Sequence, residues 1–242
     1  KKDRAITMMM VPFMSCSARL PVYMLFIGAF FVEKKALVML SLYIIGILLS
    51  SCFAWVMQHM PAFRQPKHDY VSELPPYRRP TLRNTGLHIW ERVADYLQKI
   101  PAVIIWASVI IWALTYFPTG DMNHMEESYL ASIGHWIEPV MRPLGFDWKM
   151  SVCLLTGLPA KEAIVSTMGI LYPADTALSA FTPVTAFAFM VFVLLYFPCV
   201  ATITTLRREI GAKWAWFSVG QSLILAWVLS FVIYQVGQLV VG

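Results

Sequence analysis

The chain has 242 residues, 58% of them hydrophobic and only 14% charged, with 14 Met and 9 Trp. That balance excludes an ordinary soluble domain, where charged residues make up about a quarter of the chain. The formal net charge of +5 sits in loops between apolar blocks, so it reports membrane topology and does not describe a nucleic-acid-binding surface.

The first apolar run, Ala5 to Phe31, contains the stretch "PFMSCSARLP". Pro12 and Pro21 each remove a backbone donor, so this segment is expected as a broken helix and not as one straight span. The residues before it, "KKDRAITMMM", lack the small-residue cleavage site of a signal peptide and read as the middle of a larger protein. Ala36 to Met57 then runs 22 positions without a charge, enough to cross about 30 Å of hydrocarbon as a helix.

The loop from Gln58 to Lys99 holds Arg64, Lys67, Arg78, Arg79, Arg83, Arg92 and Lys99, whereas the loop from Pro118 to Trp148 has Arg142 as its only basic residue beside five carboxylates. The positive-inside rule makes the first cytoplasmic and the second external. The "EKK" turn at Glu33 to Lys35 falls outside in this scheme, against the rule. Inside the basic loop, "ELPPYRRP" (Glu73 to Pro80) is too rich in proline for a helix and is expected to be extended. After Asn84, Leu87, Trp90, Ala94 and Leu97 recur at helical spacing, which predicts an interfacial amphipathic helix before the next span, Pro101 to Phe117. Such a helix either anchors and packs on the bundle or passes force from a cytoplasmic partner.

Two further apolar segments are interrupted. Met150 to Tyr172 contains "GLPAKEAIVSTM", with Gly157 and Pro159 as breakers, and charge counting leaves both of its ends external, so it is expected to be re-entrant. Thr182 to Leu206 is broken near its end by Pro198, and Ala215 to Val241 is the last span. The expected fold class is an all-α integral membrane protein, a polytopic helical bundle with broken or re-entrant helices and an interfacial amphipathic helix. Nothing alternates with the period of a barrel strand.

The interruptions carry the candidate chemistry. Broken membrane helices are tolerated where they are buried in protein or line a wet cavity, and they commonly build substrate sites. At the first break, Ser15, Cys16 and Ser17 supply small polar groups, and a cysteine thiolate suits a borderline or soft divalent cation. At the second, Lys161 and Glu162 are too costly to face lipid, so Glu162 either lines a pathway or joins a structural ion pair, while Lys161 reaches a carbonyl or a helix C-terminus. At the third, Pro198 precedes Cys199, and Thr202 follows within a turn. Proline, cysteine, small polar residues and then arginine recur at Pro12 to Arg19 and at Pro198 to Arg207, the mark of a distant internal repeat. Cys52 and Cys153 read as packing residues, all four cysteines as free thiols, and the five histidines as surface residues without paired ligand spacing.

Five ordered motifs, "PFMSCSARLPVY", "ELPPYRRP", "PLGFDWK", "GLPAKEAIVSTM" and "YFPC", resemble the membrane region of the FeoB family, ferrous iron transport protein B. The resemblance covers essentially the whole chain. It implies two Gate regions, related to nucleoside-recognition domains, with residues 1–57 as the remainder of the first. Residues 58–100 would then be the cytoplasmic loop and interfacial helix, 101–148 a membrane helix and external loop, and 149–242 the second Gate. It implies Cys16 and Cys199 as metal-handling residues; the breaks themselves add Glu162 as a candidate metal ligand and carboxylate relay and Ser15, Ser17, Lys161 and Thr202 along the transport path.

The same resemblance implies iron(II) as the transported ion, with no cofactor bound in this chain, and a multi-pass location in a bacterial inner membrane. The expected partners are the lipid bilayer, a cytoplasmic GTPase domain and N-terminal membrane half of the same transporter, small Feo accessory proteins and a second copy in a homo-oligomer. No nucleic acid is expected. No G-x-x-x-x-G-K-[ST] loop occurs in the sequence, so the chain is not expected to hydrolyse GTP by itself. The family's other first-Gate cysteine segment, of the type G-C-N-V-P-A-I, would lie before Lys1, which reads as a C-terminal fragment. The alternatives are a nucleoside or other organic-solute carrier of the related Gate group, and a non-transporting membrane scaffold.

Overall fold

The computed structural model describes residues 2–59, 81–117, 128–159, 161–172, 181–196 and 199–241, and every regular element among them is helical. The proline-rich "ELPPYRRP" stretch lies outside the described residues. In chain order the helices are α1 (Lys2–Met10), α2 (Leu20–Phe30), α3 (Lys35–His59), α4 (Leu82–Tyr116), α5 (Tyr129–Met141), α6 (Trp148–Thr156), α7 (Ala163–Leu171), α8 (Pro183–Leu195), α9 (Val200–Ile210) and α10 (Ala212–Val241). Three stretches among the described residues are long and apolar enough to cross a membrane: Ile6–Phe30, Lys35–His59 and Ala212–Val240.

The helix starts follow local chemistry. Thr182 accepts from the Thr185 amide and is followed by Pro183, whose fixed φ and missing donor suit a first turn. Asp147 caps α6 by accepting from the Met150 amide at 2.8 Å, and Ser128 caps α5 by accepting from the Ala131 amide at 3.1 Å.

At the centre lies α8. Its 13 residues rise only about 20 Å, less than the hydrocarbon thickness, and from Ala188 to Tyr196 every side chain is buried. A helix apolar all round belongs in the middle of a bundle. Phe189 packs on Phe26 of α2 and on Phe146, and Phe192 packs on Phe146 edge-to-face at 5.6 Å. Against α8 runs α10, joined to it by the Ser230 hydroxyl donating to the Ala188 carbonyl at 3.1 Å. In lipid such contacts matter because burial of apolar surface alone does not drive helices together.

Two expectations change. The interfacial helix and the span after Pro101 are one continuous 35-residue helix, α4, so the boundary at residue 100 falls inside an unbroken element. A membrane helix absorbs a proline when its neighbours or a local adjustment satisfy the freed carbonyl, which periodicity alone does not reveal. On the apolar face of its first turns, Leu87 and Trp90 are exposed. The segment after Pro118, expected as a loop, contains α5, whose internal Pro139 and short length hid it.

Candidate functional site

The first break separates α1 from α2. A 3-10 turn at Val11–Phe13 and another at Ser17–Arg19 flank extended backbone around Ser15 and Cys16. Both prolines stand in first turns, where a missing donor costs little. The carbonyls left free are collected by Arg19, which is only 3% exposed: Nη1 donates to the Met14 carbonyl at 2.6 Å and Nη2 to the Pro12 carbonyl at 2.8 Å. A planar guanidinium serves two carbonyls at once, which a lysine ammonium does less well. Cys16 caps the second 3-10 turn and is exposed, as is Ser17. Ser15 Oγ and the Tyr23 hydroxyl are buried beside each other, yet neither makes a hydrogen bond of ordinary geometry among the described residues.

At the second break the chain forms a hairpin. The nine-residue helices α6 and α7 pack on each other, and the Tyr172 hydroxyl donates to the Asp147 carboxylate at 2.6 Å, joining the end of α7 to the start of α6. Each arm rises about 14 Å, under half the hydrocarbon core. At the tip, Gly157 and Lys161 meet the end of α8. A Cβ at Gly157 would collide with Ile164 and with the Tyr196 hydroxyl, so only glycine lets that tyrosine approach. Tyr196 in turn donates to the Leu154 carbonyl at 3.4 Å.

The third break follows α8. Tyr196 ends it, and Cys199 caps α9 in extended geometry, its Sγ 3.1 Å from the Thr202 hydroxyl. Cys199 and Thr202 are half-buried.

Lys161 ties the three together. It is 4% exposed, its ammonium lies 3.5 Å from the Val193 carbonyl in the last turn of α8, and it stands 4.9 Å from the centre of the Tyr196 ring. A cation belongs at a helix C-terminus, where carbonyls are unshared, and over an aromatic face. Arg19, Cys16 and Cys199 all lie close enough to act on its charge, and Arg19 and Cys199 likewise act on Tyr196. Residues about 180 positions apart therefore share one neighbourhood.

Of the residues singled out in the sequence, Lys161 lies within electrostatic range of Cys16 and Cys199, Cys199 contacts Thr202, and Ser15 lies beside Tyr23. Glu162 does not join them: its side chain is exposed and its carboxylate makes no ion pair among the described residues. Successive positions point about 100° apart, and Lys161 takes the inward one. The arginine of the suggested repeat is also misplaced, since Arg207 is exposed in the last turn of α9, away from the break that Arg19 closes at its counterpart. All four cysteines are free thiols. Among the described residues no three His, Cys, Asp or Glu side chains converge on a metal position. A cation here would meet sulfur, hydroxyls, carbonyls and water.

Sequence reasoning missed the work of Arg19, Tyr196 and Asp147. Signals existed for two of them: an arginine buried in an apolar run needs acceptors, and proline breaks supply them nearby, while an aspartate before an apolar run marks an N-cap. Tyr196 carried no such signal. A cleft of about 440 Å³ between α2 and α3 is lined by Met24, Ile27, Gly28, Lys35, Ala36 and Met39. It offers alkyl groups, thioethers and one ammonium, which is poor chemistry for reading a nucleobase or sugar.

Two family models match the chain: one described as ferrous iron transport protein B C terminus, over residues 39–92, and the Gate model, described as nucleoside recognition, over residues 97–213. A Fe(2+) transport protein A/Fe(2+) transporter FeoB fusion protein of Porphyromonas gingivalis is 39% identical over 98% of this chain and 35% of its own length. The Fe(2+) transporter FeoB of Staphylococcus aureus strain COL is 40% identical over 100% of this chain and 38% of its own length. That of Methanocaldococcus jannaschii is 37% identical over 99% and 38%. The chain thus spans a little over a third of the length of these relatives. No solved structure matches it.

Proposed function

We propose that ferrous iron crosses the membrane beside the three converging breaks of this chain, which belongs to the FeoB family and carries its Gate and C-terminal regions. The observation that carries the reading is that Lys161, at the buried tip of the α6–α7 hairpin, lies within electrostatic range of both Cys16 and Cys199, each at the N-terminal boundary of a helix at a break.

Iron(II) is a borderline cation that accepts thiolate as well as oxygen ligands. Two sulfurs with hydroxyls and water would hold it briefly, and briefness is required, since a site that binds too tightly cannot conduct. Ser15 and Thr202 supply the nearby hydroxyls. Lys161 and Arg19 put two positive charges beside the path, which opposes a passing dication. Arg19 is fixed by two carbonyls, whereas Lys161 has one long contact and a ring face, so Lys161 is the movable charge of a closed gate. The re-entrant hairpin that carries it is the moving part, and Glu162, exposed beside it, belongs to an approach to the path.

In the whole transporter, a cytoplasmic GTPase domain would supply the motion, and the location would be a bacterial inner membrane. The Porphyromonas gingivalis relative, named as a fusion with Fe(2+) transport protein A, supports a small accessory partner acting on the same machinery.

The test is anaerobic iron(II) uptake into proteoliposomes by the full-length transporter, wild type against Cys16→Ser and Cys199→Ser at matched amounts of folded protein. Uptake is expected to drop at least about tenfold in each variant, since even second-shell changes cost metal sites that much. Unchanged uptake in both would show the thiols to be packing residues and remove the ligand role assigned to them.

A further inference from the structure

The turn between α2 and α3 carries two cations that the transport path does not use. α2 ends at Phe30 and α3 begins at Lys35, and both belong to stretches long and apolar enough to cross a membrane. The 25 residues of α3 rise about 37 Å against about 30 Å of hydrocarbon, so its first residue stands at headgroup level and the turns behind it stand among acyl chains. The turn is fixed by its backbone: the Lys34 amide donates to the Phe31 carbonyl and the Val38 amide to the Lys34 carbonyl, each at 3.1 Å. It holds Glu33, Lys34 and Lys35, all exposed, and neither lysine makes an ion pair among the described residues. In the orientation expected from the charged loops, these lysines lie on the side where the positive-inside rule does not account for them.

Directly below Lys35 the two helices part. The cleft of about 440 Å³ opens there, with one helical turn as each wall, residues 24–28 of α2 and 35–39 of α3. Its volume falls in the range of ligand pockets, about 300–1,000 Å³. Gly28 makes much of the room, since a Cβ built on it meets nothing within 4 Å. The floor is the alkyl and thioether surface of Met24, Ile27 and Met39. The rim is of long alkyl chains, Met24 and Leu37 being 67% and 64% exposed, which is lipid-facing surface and not the small, hydrogen-bonding kind that joins membrane helices.

We propose that this cleft holds one anionic phospholipid, with the upper part of an acyl chain between Met24, Gly28 and Met39 and its phosphate at the Lys35 ammonium. A cationic mouth over an apolar floor, at the depth where headgroups give way to hydrocarbon, matches such an amphiphile from end to end. Lys35 lays its alkyl stem along the cleft wall and keeps its charge at the headgroups. Glu33, Lys34 and Lys35 leave one net positive charge at the mouth, which favours an anionic head over a zwitterionic one. The other occupants fit less well. A metal cation is repelled by both lysines, and a peptide finds no polar group on the cleft floor to pair with its backbone.

The experiment uses the full-length transporter in detergent, with dioleoylphosphatidylglycerol as the anionic lipid and dioleoylphosphatidylcholine, the same chains under a zwitterionic head, as its control. Retained lipid is read by native mass spectrometry. A phosphatidylglycerol with a diazirine near the top of one acyl chain is also photocrosslinked and its site mapped by peptide. The wild type is expected to retain phosphatidylglycerol about fivefold or more over phosphatidylcholine, and Lys35→Gln to lose about fivefold of the first with the second unchanged. Lys213→Gln, at an exposed lysine in the first turn of α10, is expected to change neither. Gly28→Leu fills the cleft from open space and is expected to lower both lipids about fivefold or more, with the thermal midpoint of the protein unchanged. Crosslinks are expected on residues 24–28 and 35–39. Equal retention of the two lipids, or equal losses in Lys35→Gln and Lys213→Gln, would overturn the recognition of an anionic head. Crosslinks absent from both walls would show that another segment of the transporter covers the cleft, and would overturn the site. Iron enters none of these readouts, so the lipid site and the transport reading fail separately.

Discussion

The first and third breaks begin from the same sequence elements, a proline followed by a cysteine and small polar residues, and they solve their backbone problem differently. At the first, Arg19 reaches back over seven residues and occupies the Pro12 and Met14 carbonyls itself. At the third, no local cation among the described residues does this. The last turn of α8 is met from outside by Lys161, on the tip of another segment, and the sulfur of Cys199 bonds to Thr202 inside its own helix. One break is therefore closed within its own segment and the other depends on a neighbour, so in the gate proposed above a motion of the α6–α7 hairpin would unlock only the third. Two stretches of similar composition would there act as a fixed wall and a releasable one.

Removing the clip tests this contrast most sharply. Arg19→Leu leaves one buried and one part-buried carbonyl without donors and is expected to destabilise the protein by about 3–5 kcal/mol, whereas Arg207→Leu, at the supposed counterpart, should stay within about 0.5 kcal/mol. Thermal unfolding in detergent reads both. Similar midpoints for the two variants would end the distinction between the breaks.

Next in size, Tyr172→Phe removes the bond that closes the hairpin on the Asp147 carboxylate and is expected to cost about 1.5–3 kcal/mol in the same assay. Gly157→Ala should cost about 1–3 kcal/mol, because its methyl meets Ile164 and the Tyr196 hydroxyl. It also carries a more telling readout. By lifting the tip from α8, it should raise the reactivity of Cys199 toward a water-soluble thiol reagent and leave that of Cys16 unchanged; equal changes at both would mean that the two walls move as one. The smallest effect is expected for Thr202→Val, which keeps the shape and loses one hydroxyl: about 0.5–1.5 kcal/mol, with Cys199 reactivity changed and Cys16 again unaffected.

Much of this was legible in the residues. Charge-free runs gave the long helices α3 and α10, prolines marked all three interruptions, and the pairing of Lys161 with a helix C-terminus followed from the cost of a charge at that depth. Other features were not. The unbroken passage of α4 through Pro101 contradicted the local propensity of proline, and α5 was masked by the acidic, proline-containing stretch around it. For Glu162 the residues alone leave open a pathway carboxylate or a member of an ion pair; the structure leaves it exposed and unpaired among the described residues, beside a Lys161 that points inward from the same turn.

The sequence by itself determined that the protein is helical and membrane-embedded, and where its helices break, because apolar length, proline and charge act through the local backbone and its solvent. The tertiary structure alone decided which breaks meet, that Arg19 closes one while Lys161 closes another, and that Glu162 stays outside. Those outcomes depend on contacts between residues far apart in the chain, and the direction in which a side chain points is fixed only when its neighbours take their places.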